Sequence, residues 1–158
     1  MGLYMNYPGL KGDATEQGFQ NWITLQTVHF GTSRSVAASV GSTAGREASV
    51  PNISEITVTK QLDASSAGLF RASVTLSTGQ SVQIAFTKTG SNGEAYLKYQ
   101  LDDVLITGYS ISTAGDRPVE QISISCAKFQ MTVTTTDSAN NPLAPMTTGY
   151  DVAQNAPV

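Results

Sequence analysis

Few residues of this chain have the side chains and spacing that catalysis requires. Its sole histidine, His29, is the side chain best suited to act as a neutral-pH base for a serine nucleophile. No G-x-S-x-G turn accompanies it, and it stands between Val28 and Phe30 in a run typical of a strand. We therefore interpret His29 as a strand residue on a half-buried or interface face and predict no catalytic role. A divergent hydrolase that uses His29 with a nearby serine is the enzyme alternative.

Two pairs of charged residues and one thiol are the remaining candidates. Asp102 and Asp103 are adjacent, so in a strand their carboxylates point to opposite faces, which favours a strand end or turn over an acid–base pair. Asp116 and Arg117 precede a proline, where they are expected to satisfy each other and the local backbone rather than bind an anion. Cys126 shares a strand face with isoleucines, so we predict a buried, unreactive thiol.

Composition excludes several classes of function. The 158 residues include 9 Lys and Arg against 12 Asp and Glu, a net charge of −3, so the chain lacks the positive charge that binds nucleic acids or anionic membranes. One cysteine permits no intramolecular disulfide, and no phosphate, zinc or calcium motif occurs. We predict no cofactor, no metal, no nucleic-acid partner and no membrane insertion. The start lacks a signal-peptide pattern, which predicts assembly in the cytoplasm.

Most of the secondary-structure elements that hold these residues are predicted to be strands. The chain carries 17 Ser and 19 Thr with only 13% charged residues, a hydroxyl-rich and β-branched composition typical of sheets. Alternation of apolar and polar residues predicts strands within 22–30, 55–59, 82–87, 96–101 and 121–136. Turn residues at 8–9, 90–93 and 114–118 predict antiparallel hairpins. We predict a mainly β fold that forms one domain over residues 1–158.

The segment 121–136 changes face in its middle. Its apolar residues stand at even positions before Ala127 and at odd positions after it: Ile122, Ile124 and Cys126, then Phe129, Met131 and Val133. A flat continuous strand would expose one of these two sets to water. The sequence therefore predicts a β-bulge or a corner between two sheets near Ala127.

Two segments depart from the strand pattern. Asp63 or Ser65 can cap a helix, and apolar residues cluster between Leu69 and Leu76, which predicts one short helix at about 64–77. In residues 31–51 the apolar residues do not recur at the spacing of either a strand or a helix. A loop of about twenty unstructured residues in a compact domain usually has a function. We predict that this long extended loop reaches a partner.

Four segments together identify a family resemblance. Residues 46–63, REASVPNISEITVTKQLD, resemble the Hcp family, the haemolysin-coregulated tube proteins of bacterial type VI secretion. Residues 4–12, YMNYPGLKG, are similar to that family's first strand and turn, although Asp13 and Ala14 replace the common acidic and small residues. Residues 108–120 resemble its central hairpin and 149–155 its closing strand. The likeness therefore covers the chain in order.

The resemblance implies both a fold and an assembly. The fold would be a phage-tail-tube-like small β-barrel of two antiparallel sheets with one short flanking helix. The chain would close into hexameric rings that stack into a tube, bind sheath and spike proteins, and leave the cell on sheath contraction with effectors in the lumen. The family's long loop extends towards the next ring, which implies a ring-stacking set: Arg34, Val36, Ala37, Ala38, Val40, Arg46 and Glu47.

The same resemblance implies that the chain is not an enzyme. The sequence ends soon after the closing strand motif, so we expect no toxin domain behind the tube module. The alternative from a binding class is a monomeric β-sandwich module that recognises carbohydrate or protein, which hydroxyl-rich strands also allow. The mass of the particle in solution separates the ring from the monomer.

Overall fold

Antiparallel strands make up most of the fold. The computed structural model describes residues 1–37, 47–76, 79–89 and 93–158. Its helix, α1, is Ser66–Val74. The strands are β1 Gly2–Asn6, β2 Ile23–Thr24, β3 Thr27–His29, β4 Thr32–Ser33, β5 Val36–Ala37, β6 Glu47–Ala48, β7 Asn52–Ile53, β8 Ile56–Gln61, β9 Gln80–Thr87, β10 Ala95–Ser112, β11 Val119–Ser125, β12 Lys128–Val133, β13 Met146–Asp151 and β14 Ala156–Pro157. The predicted mainly β class with one short helix is confirmed.

Two sheets share the 18-residue strand β10. Sheet A has the strand order β2-β1-β9-β10-β12-β13-β14, and sheet B the order β10-β11-β8-β3. The first part of β10 pairs with β9 and β12, and its second part pairs with β11. Within the described ranges no ladder joins β2 to β3, so the predicted barrel is an open one.

The corner between the sheets lies at two adjacent places. The register of β10 against β9 shifts between Leu101 and Val104, where Asp103 has a φ of 54°. The chain turns from β11 into β12 at Cys126 and Ala127, and the Ala127 N–H donates to the Asp102 carbonyl at 3.0 Å. The predicted corner near Ala127 is confirmed, because β11 belongs to sheet B and β12 to sheet A.

The Asp102–Asp103 prediction is wrong in one respect. The pair lies inside a long strand, at its bulge, and not at a strand end. Aspartate tolerates the left-handed backbone that such a bend requires, because its short polar side chain can bond locally. The two carboxylates therefore mark the place where β10 passes from one sheet to the other.

The core lies between the two sheets. Alternate strand positions supply its fully buried side chains: Met5, Ile23, Ile56, Val58, Val82, Ile84, Leu101, Ile122 and Ile124. Aromatic rings close one end, where Phe30 stacks on Phe129 at 4.2 Å between centroids and Tyr99 packs against both. Leu69 of α1 is fully buried in the same core, so the helix is packed against the sheets by this side chain.

Helix α1 is shorter than predicted. The Asp63 carboxylate accepts hydrogen bonds from the Ser65 N–H at 2.8 Å and the Ser65 hydroxyl at 2.5 Å, which holds these residues in a turn before the helix. At the other end Thr75 is extended, with φ −118° and ψ 148°. No helix among the described residues has the length and apolar character needed to cross a membrane.

The segment predicted as an unstructured loop is a paired ribbon where it is described. Strand β4 pairs with β7, and β5 pairs with β6, so the ribbon continues the β3–β8 ladder. Gly31 and Ser54 connect the two parts, because the Ser54 N–H donates to the Gly31 carbonyl at 2.9 Å and the Gly31 N–H donates to the Ser54 hydroxyl at 2.9 Å. Each of these strands has two residues, too few to show a period.

Candidate functional site

The outward face of sheet B carries no Lys, Arg, Asp or Glu side chain on its four strands. Opposite residues of neighbouring strands share a face, so the core side of β8 and β11 holds isoleucine and valine and the other side is polar. The outward residues are Thr27 and His29 of β3; Thr57, Thr59 and Gln61 of β8; Val119, Gln121, Ser123 and Ser125 of β11; and Leu105, Gly108, Ser110 and Ser112 of β10. We call this surface the neutral face.

The outward face of sheet A differs in charge. Lys98 and Asp102 of β10, Lys128 of β12 and Asp151 of β13 alternate with inward apolar residues and therefore point away from the core. Asp102, Lys128 and Asp151 lie in one row across the three strands. Of the two sheet faces, that of sheet B alone presents hydroxyls and amides without fixed charges on its strands.

His29 lies on this neutral face. It stands opposite Thr57 and is exposed, so its strand placement is confirmed. Of the two environments predicted for it, the half-buried face is not observed and the interface face stays a prediction. No hydrogen bond among the described residues connects His29 to a serine hydroxyl. Within the same part of the chain, no group of three His, Cys, Asp or Glu side chains has the geometry to hold a metal ion.

The carboxylates at the bulge of β10 have structural partners. Asp102 Oδ1 accepts hydrogen bonds from the Ser81 hydroxyl at 2.9 Å and from Gln100 Nε2 at 3.1 Å. Asp103 Oδ1 accepts from the Gly79 N–H at 3.0 Å. These bonds hold Gly79 and the start of β9 against the bend.

The contacts of the turn residue Arg117 differ from the predicted pairing of Asp116 with Arg117. Its guanidinium donates to the Leu62 carbonyl and, at 3.5 Å, to Gln61 Oε1, and not to the neighbouring Asp116. It therefore connects the turn after β10 to the end of β8. Arg117 can reach the end of β8 because the Leu62 N–H donates to the Pro118 carbonyl at 3.1 Å, which holds the two segments together.

Cys126 is half-buried at the corner between the sheets. Burial, with a smaller contribution from the Asp102 carboxylate, raises the pKa of its thiol to about 11. A thiol with that pKa is protonated at neutral pH and is a poor nucleophile. The raised pKa agrees with the unreactive thiol predicted for Cys126. The side chain is half-buried, whereas the sequence predicted a buried one.

A buried ionic network was missed by the sequence interpretation. Lys60 of β8 and Glu120 of β11 are opposite each other on the core side of sheet B, both fully buried, with Lys60 Nζ 2.6 Å from Glu120 Oε1. Lys60 also contacts the Asp63 carboxylate at 3.0 Å. The Ser66 hydroxyl donates to Glu120 Oε1 at 2.6 Å, and the Tyr109 hydroxyl donates to Oε2. The network ties the first turn of α1 to sheet B.

The network also fixes protonation states. Burial alone would raise the pKa of Glu120, but hydrogen bonds from Lys60, Ser66 and Tyr109 outweigh it and lower that pKa. Burial and the Glu120 carboxylate raise the pKa of Tyr109 to about 12. One sequence signal was available, because Lys60 and Glu120 occupy the inward positions of alternating strands.

The predicted ring-stacking set lies on the ribbon. Arg34, Val36 and Ala37 are exposed there, and Ala37 pairs with Glu47 across the two strands. Ala38, Val40 and Arg46 lie outside the described residues. Val36 has 49% of its surface exposed. The described part of the set therefore lies together on the ribbon.

The family model described as type VI secretion system effector, Hcp, matches residues 4–133. The chain belongs to the Hcp family. This Hcp chain is similar in fold to a solved type six secretion system protein, with a TM-score of 0.91, 19% identity and 99% of each chain covered. Hcp1 from Salmonella typhimurium gives a TM-score of 0.80 at 16% identity, covering 99% of this chain and 98% of that one. No curated protein matches the sequence.

A third solved structure agrees with these. A type VI secretion system effector from Yersinia pestis gives a TM-score of 0.74 at 19% identity, with 95% of this Hcp chain and 99% of the other covered. At such low identities the likeness establishes the fold, while membership of the family rests on the sequence model. The predicted resemblance to Hcp is confirmed.

Proposed function

We propose that this Hcp chain is a structural subunit of the type VI secretion inner tube that closes into hexameric rings, stacks and carries effectors in its lumen. The observation that carries the proposal is the neutral face of sheet B, which is the surface best suited to line the channel. In this proposal the protein assembles in the cytoplasm, contacts sheath and spike proteins, and is exported when the sheath contracts. We expect no catalytic activity from it.

The neutral face suits a channel that must release its contents. Cargo proteins differ in net charge, and a wall of fixed charges would attract some of them strongly and repel others. Hydroxyls and amides exchange hydrogen bonds with water and cargo at small net cost. Thr27 and Thr59, whose hydroxyl oxygens are 2.6 Å apart, already satisfy each other in part. Such a wall permits loose, reversible contacts.

The ribbon suits the contact between rings. It continues the β3–β8 ladder beyond the end of sheet B and carries exposed residues, so we propose it as the element that reaches another ring. Its exposed apolar side chains are small, and small side chains bury little area, which gives a weak contact that depends on concentration. A tube that must come apart after export requires contacts of this kind between rings.

The first test is the native mass from light scattering on a sizing column, followed by negative-stain imaging of the same peak. Six copies of 16.6 kDa give a particle of about 100 kDa, and a ring with a central hole at that mass supports the proposal. A monodisperse particle of 16.6 kDa at high concentration would favour the monomeric β-sandwich module instead.

A further inference from the structure

We propose that a pocket on the outward face of sheet A binds a carbohydrate chain that carries carboxylates. The pocket has a volume of about 300 Å³, at the lower end of the range typical of small-molecule sites. Strands β9, β10 and β12 contribute one side of it, and residues 14–22, which we call the strap, contribute the other. The inference goes beyond the proposed function, because the site is complete within a single chain.

The strap is held against sheet A by aromatic packing. The Phe19 ring stacks on the Tyr4 ring of β1 with 5.1 Å between centroids, and Trp22 packs edge to face with Phe19 at 5.0 Å. The Tyr4 hydroxyl also donates to Glu16 Oε2 at 2.8 Å. Phe19 is buried, whereas Trp22 is half-buried and lines the pocket. This side of the pocket is therefore preformed and leaves part of an indole ring accessible.

Amide side chains stand in one row across the outward face of sheet A. Asn6 lies opposite Gln83 and Gln100 opposite Gln130, and the two middle strands place Gln83 opposite Gln100 in the pocket. Gln83 Nε2 donates to Gln100 Oε1 at 3.0 Å, and Gln100 Nε2 donates to Asp102 Oδ1 at 3.1 Å. An amide has two N–H groups and two lone pairs. Both pocket amides therefore keep a donor and an acceptor for a ligand.

The neighbouring row supplies a cation and a hydroxyl. Lys98 of β10 lies opposite Thr132 of β12, and both line the pocket. Lys98 is the one charged residue among the described lining residues, and within the described ranges no ion pair involves it. Its ammonium is therefore available to a carboxylate. The Thr132 hydroxyl lies 2.9 Å from the Thr147 hydroxyl and can make one more hydrogen bond.

These groups together match the chemistry of a sugar. The hydroxyls of a sugar ring both donate and accept hydrogen bonds, as the pocket amides and the Thr132 hydroxyl do. The C–H groups of the ring pack against the face or edge of an aromatic side chain such as Trp22. Lys98 adds one positive charge, which favours a sugar with a carboxylate over a neutral sugar.

A peptide is a less suitable ligand for this pocket. Peptides that bind to a sheet commonly add a strand to a free edge, where backbone groups provide the affinity. Strands β9, β10 and β12 each have a partner strand on both sides at the pocket. The pocket therefore offers side chains and no free backbone edge.

The position of the pocket gives it a use in the proposed tube. The neutral face of sheet B is proposed to line the channel, and the pocket lies on the outward face of the other sheet. The core separates these two faces, so the pocket would lie on the outer surface of the tube. A tube that leaves the cell could contact polysaccharide with that surface.

Trp22 provides the readout, because it is the sole tryptophan of the chain and lines the pocket. Its fluorescence is titrated with trigalacturonate and with the disaccharide of N-acetylglucosamine and N-acetylmuramic acid, which both carry carboxylates. Maltotriose is the neutral comparison. We expect a saturable change with a lower Kd for at least one of the acidic sugars than for maltotriose. Saturation-transfer NMR detects binding that leaves the Trp22 emission unchanged.

Two variants test the two kinds of contact, each with a matched control. Lys98→Met should raise the Kd of the acidic sugar by at least about tenfold, as expected for one charged hydrogen bond, and remove the preference over maltotriose. Lys128→Met removes the same charge from the same face outside the pocket and should leave both unchanged. Gln83→Met should raise both Kd values by about fivefold, whereas Gln130→Met, in the same row outside the pocket, should not.

Far-UV circular dichroism shows whether the variants keep their fold. Neither a saturable fluorescence change nor saturation transfer with either acidic sugar at millimolar concentrations would overturn the site. Equal affinity for a hexaglutamate peptide would indicate binding by charge alone and overturn the carbohydrate assignment. A Lys128→Met variant weakened as much as Lys98→Met would overturn the pocket as the place of binding. None of these results depends on the mass of the particle, so this inference and the proposed function can fail independently.

Discussion

Removing Lys60 should cost more stability than neutralising Glu120, although each change breaks the same ion pair. Lys60→Met leaves the Glu120 carboxylate fully buried with hydroxyl donors from Ser66 and Tyr109 but without a cation. Glu120→Gln leaves the Lys60 ammonium beside the Asp63 carboxylate, which is 3.0 Å away. One variant therefore holds an uncompensated buried charge and the other does not.

The magnitudes follow from that difference. Removing one partner of a buried ion pair costs about 3–5 kcal/mol when the remaining charge has no other charged partner, which is the case for Glu120 in Lys60→Met. In Glu120→Gln the Lys60 ammonium still has the Asp63 carboxylate beside it, and the glutamine side chain has the size of glutamate. The free energy of unfolding should therefore fall by about the value of one charged hydrogen bond, about 1.5–3 kcal/mol. We expect Lys60→Met to be the less stable variant by about 1–2 kcal/mol.

The two variants should also differ in their response to pH. In the natural chain the folded-state pKa of Glu120 is lowered, so its contribution to stability is present above the unfolded-state pKa and is lost as the pH falls through the folded value. In Lys60→Met the buried carboxylate has lost its cation, which raises its pKa and favours the protonated form. The deficit of Lys60→Met relative to the natural chain should therefore shrink as the pH falls.

The assay is urea unfolding followed by Trp22 fluorescence at one fixed protein concentration, because ring formation adds to apparent stability. Profiles between pH 4 and 7 give the free energy of unfolding of both variants. Equal losses in the two variants, or a Lys60→Met deficit that does not change with pH, would refute the assignment of Glu120 as a buried carboxylate held by Lys60.

Three further predictions concern the backbone, the thiol and the ribbon. Gly149→Ala should lower the free energy of unfolding by about 1–3 kcal/mol, because its Cβ would lie 2.4 Å from the carbonyl oxygen of a β12 residue; Gly115→Ala, with open space around it, is the control and should change it by less than about 0.5 kcal/mol. Cys126 should react slowly with a thiol reagent at pH 7.5 and quickly in urea, and equal rates would contradict its raised pKa. Val36→Asp should abolish stacking seen by sedimentation while the ring keeps its mass, and Leu143→Asp should leave both unchanged.

Period-two alternation predicted the β11–β12 corner because it is a property of every residue along a strand. The apolar residues change from even to odd positions near Ala127 because the chain passes there from sheet B to sheet A, and the side chains that face the core change with it. The same signal located β9 and the first part of β10. It also contained Lys60 and Glu120, which were overlooked because charged residues at inward positions are uncommon.

Other features depend on contacts between distant segments. The ribbon consists of two-residue strands, and its pairing depends on bonds such as that between the Ser49 N–H and the Ser35 carbonyl, at 2.8 Å, which no local period reveals. The bend at Asp103 depends on how β10 meets β9. The true ends of α1 depend on the Asp63 turn and on the extended Thr75. Each of these is set by tertiary packing, which local composition does not encode.

The buried network and the neutral face are connected through one strand register. Lys60 and Glu120 lie on strands whose opposite sides form the neutral face, so a shift of either strand by one residue would move its charge outward. Burying both charges requires desolvation, which a hydrophobic pair would avoid. The ion pair penalises such a shift, since a slipped strand would leave the other charge buried and unpaired. A Lys60→Met/Glu120→Leu variant should therefore retain much of its stability, and amide hydrogen exchange that is faster at β8 and β11 than in the natural chain would show that their register is less well specified.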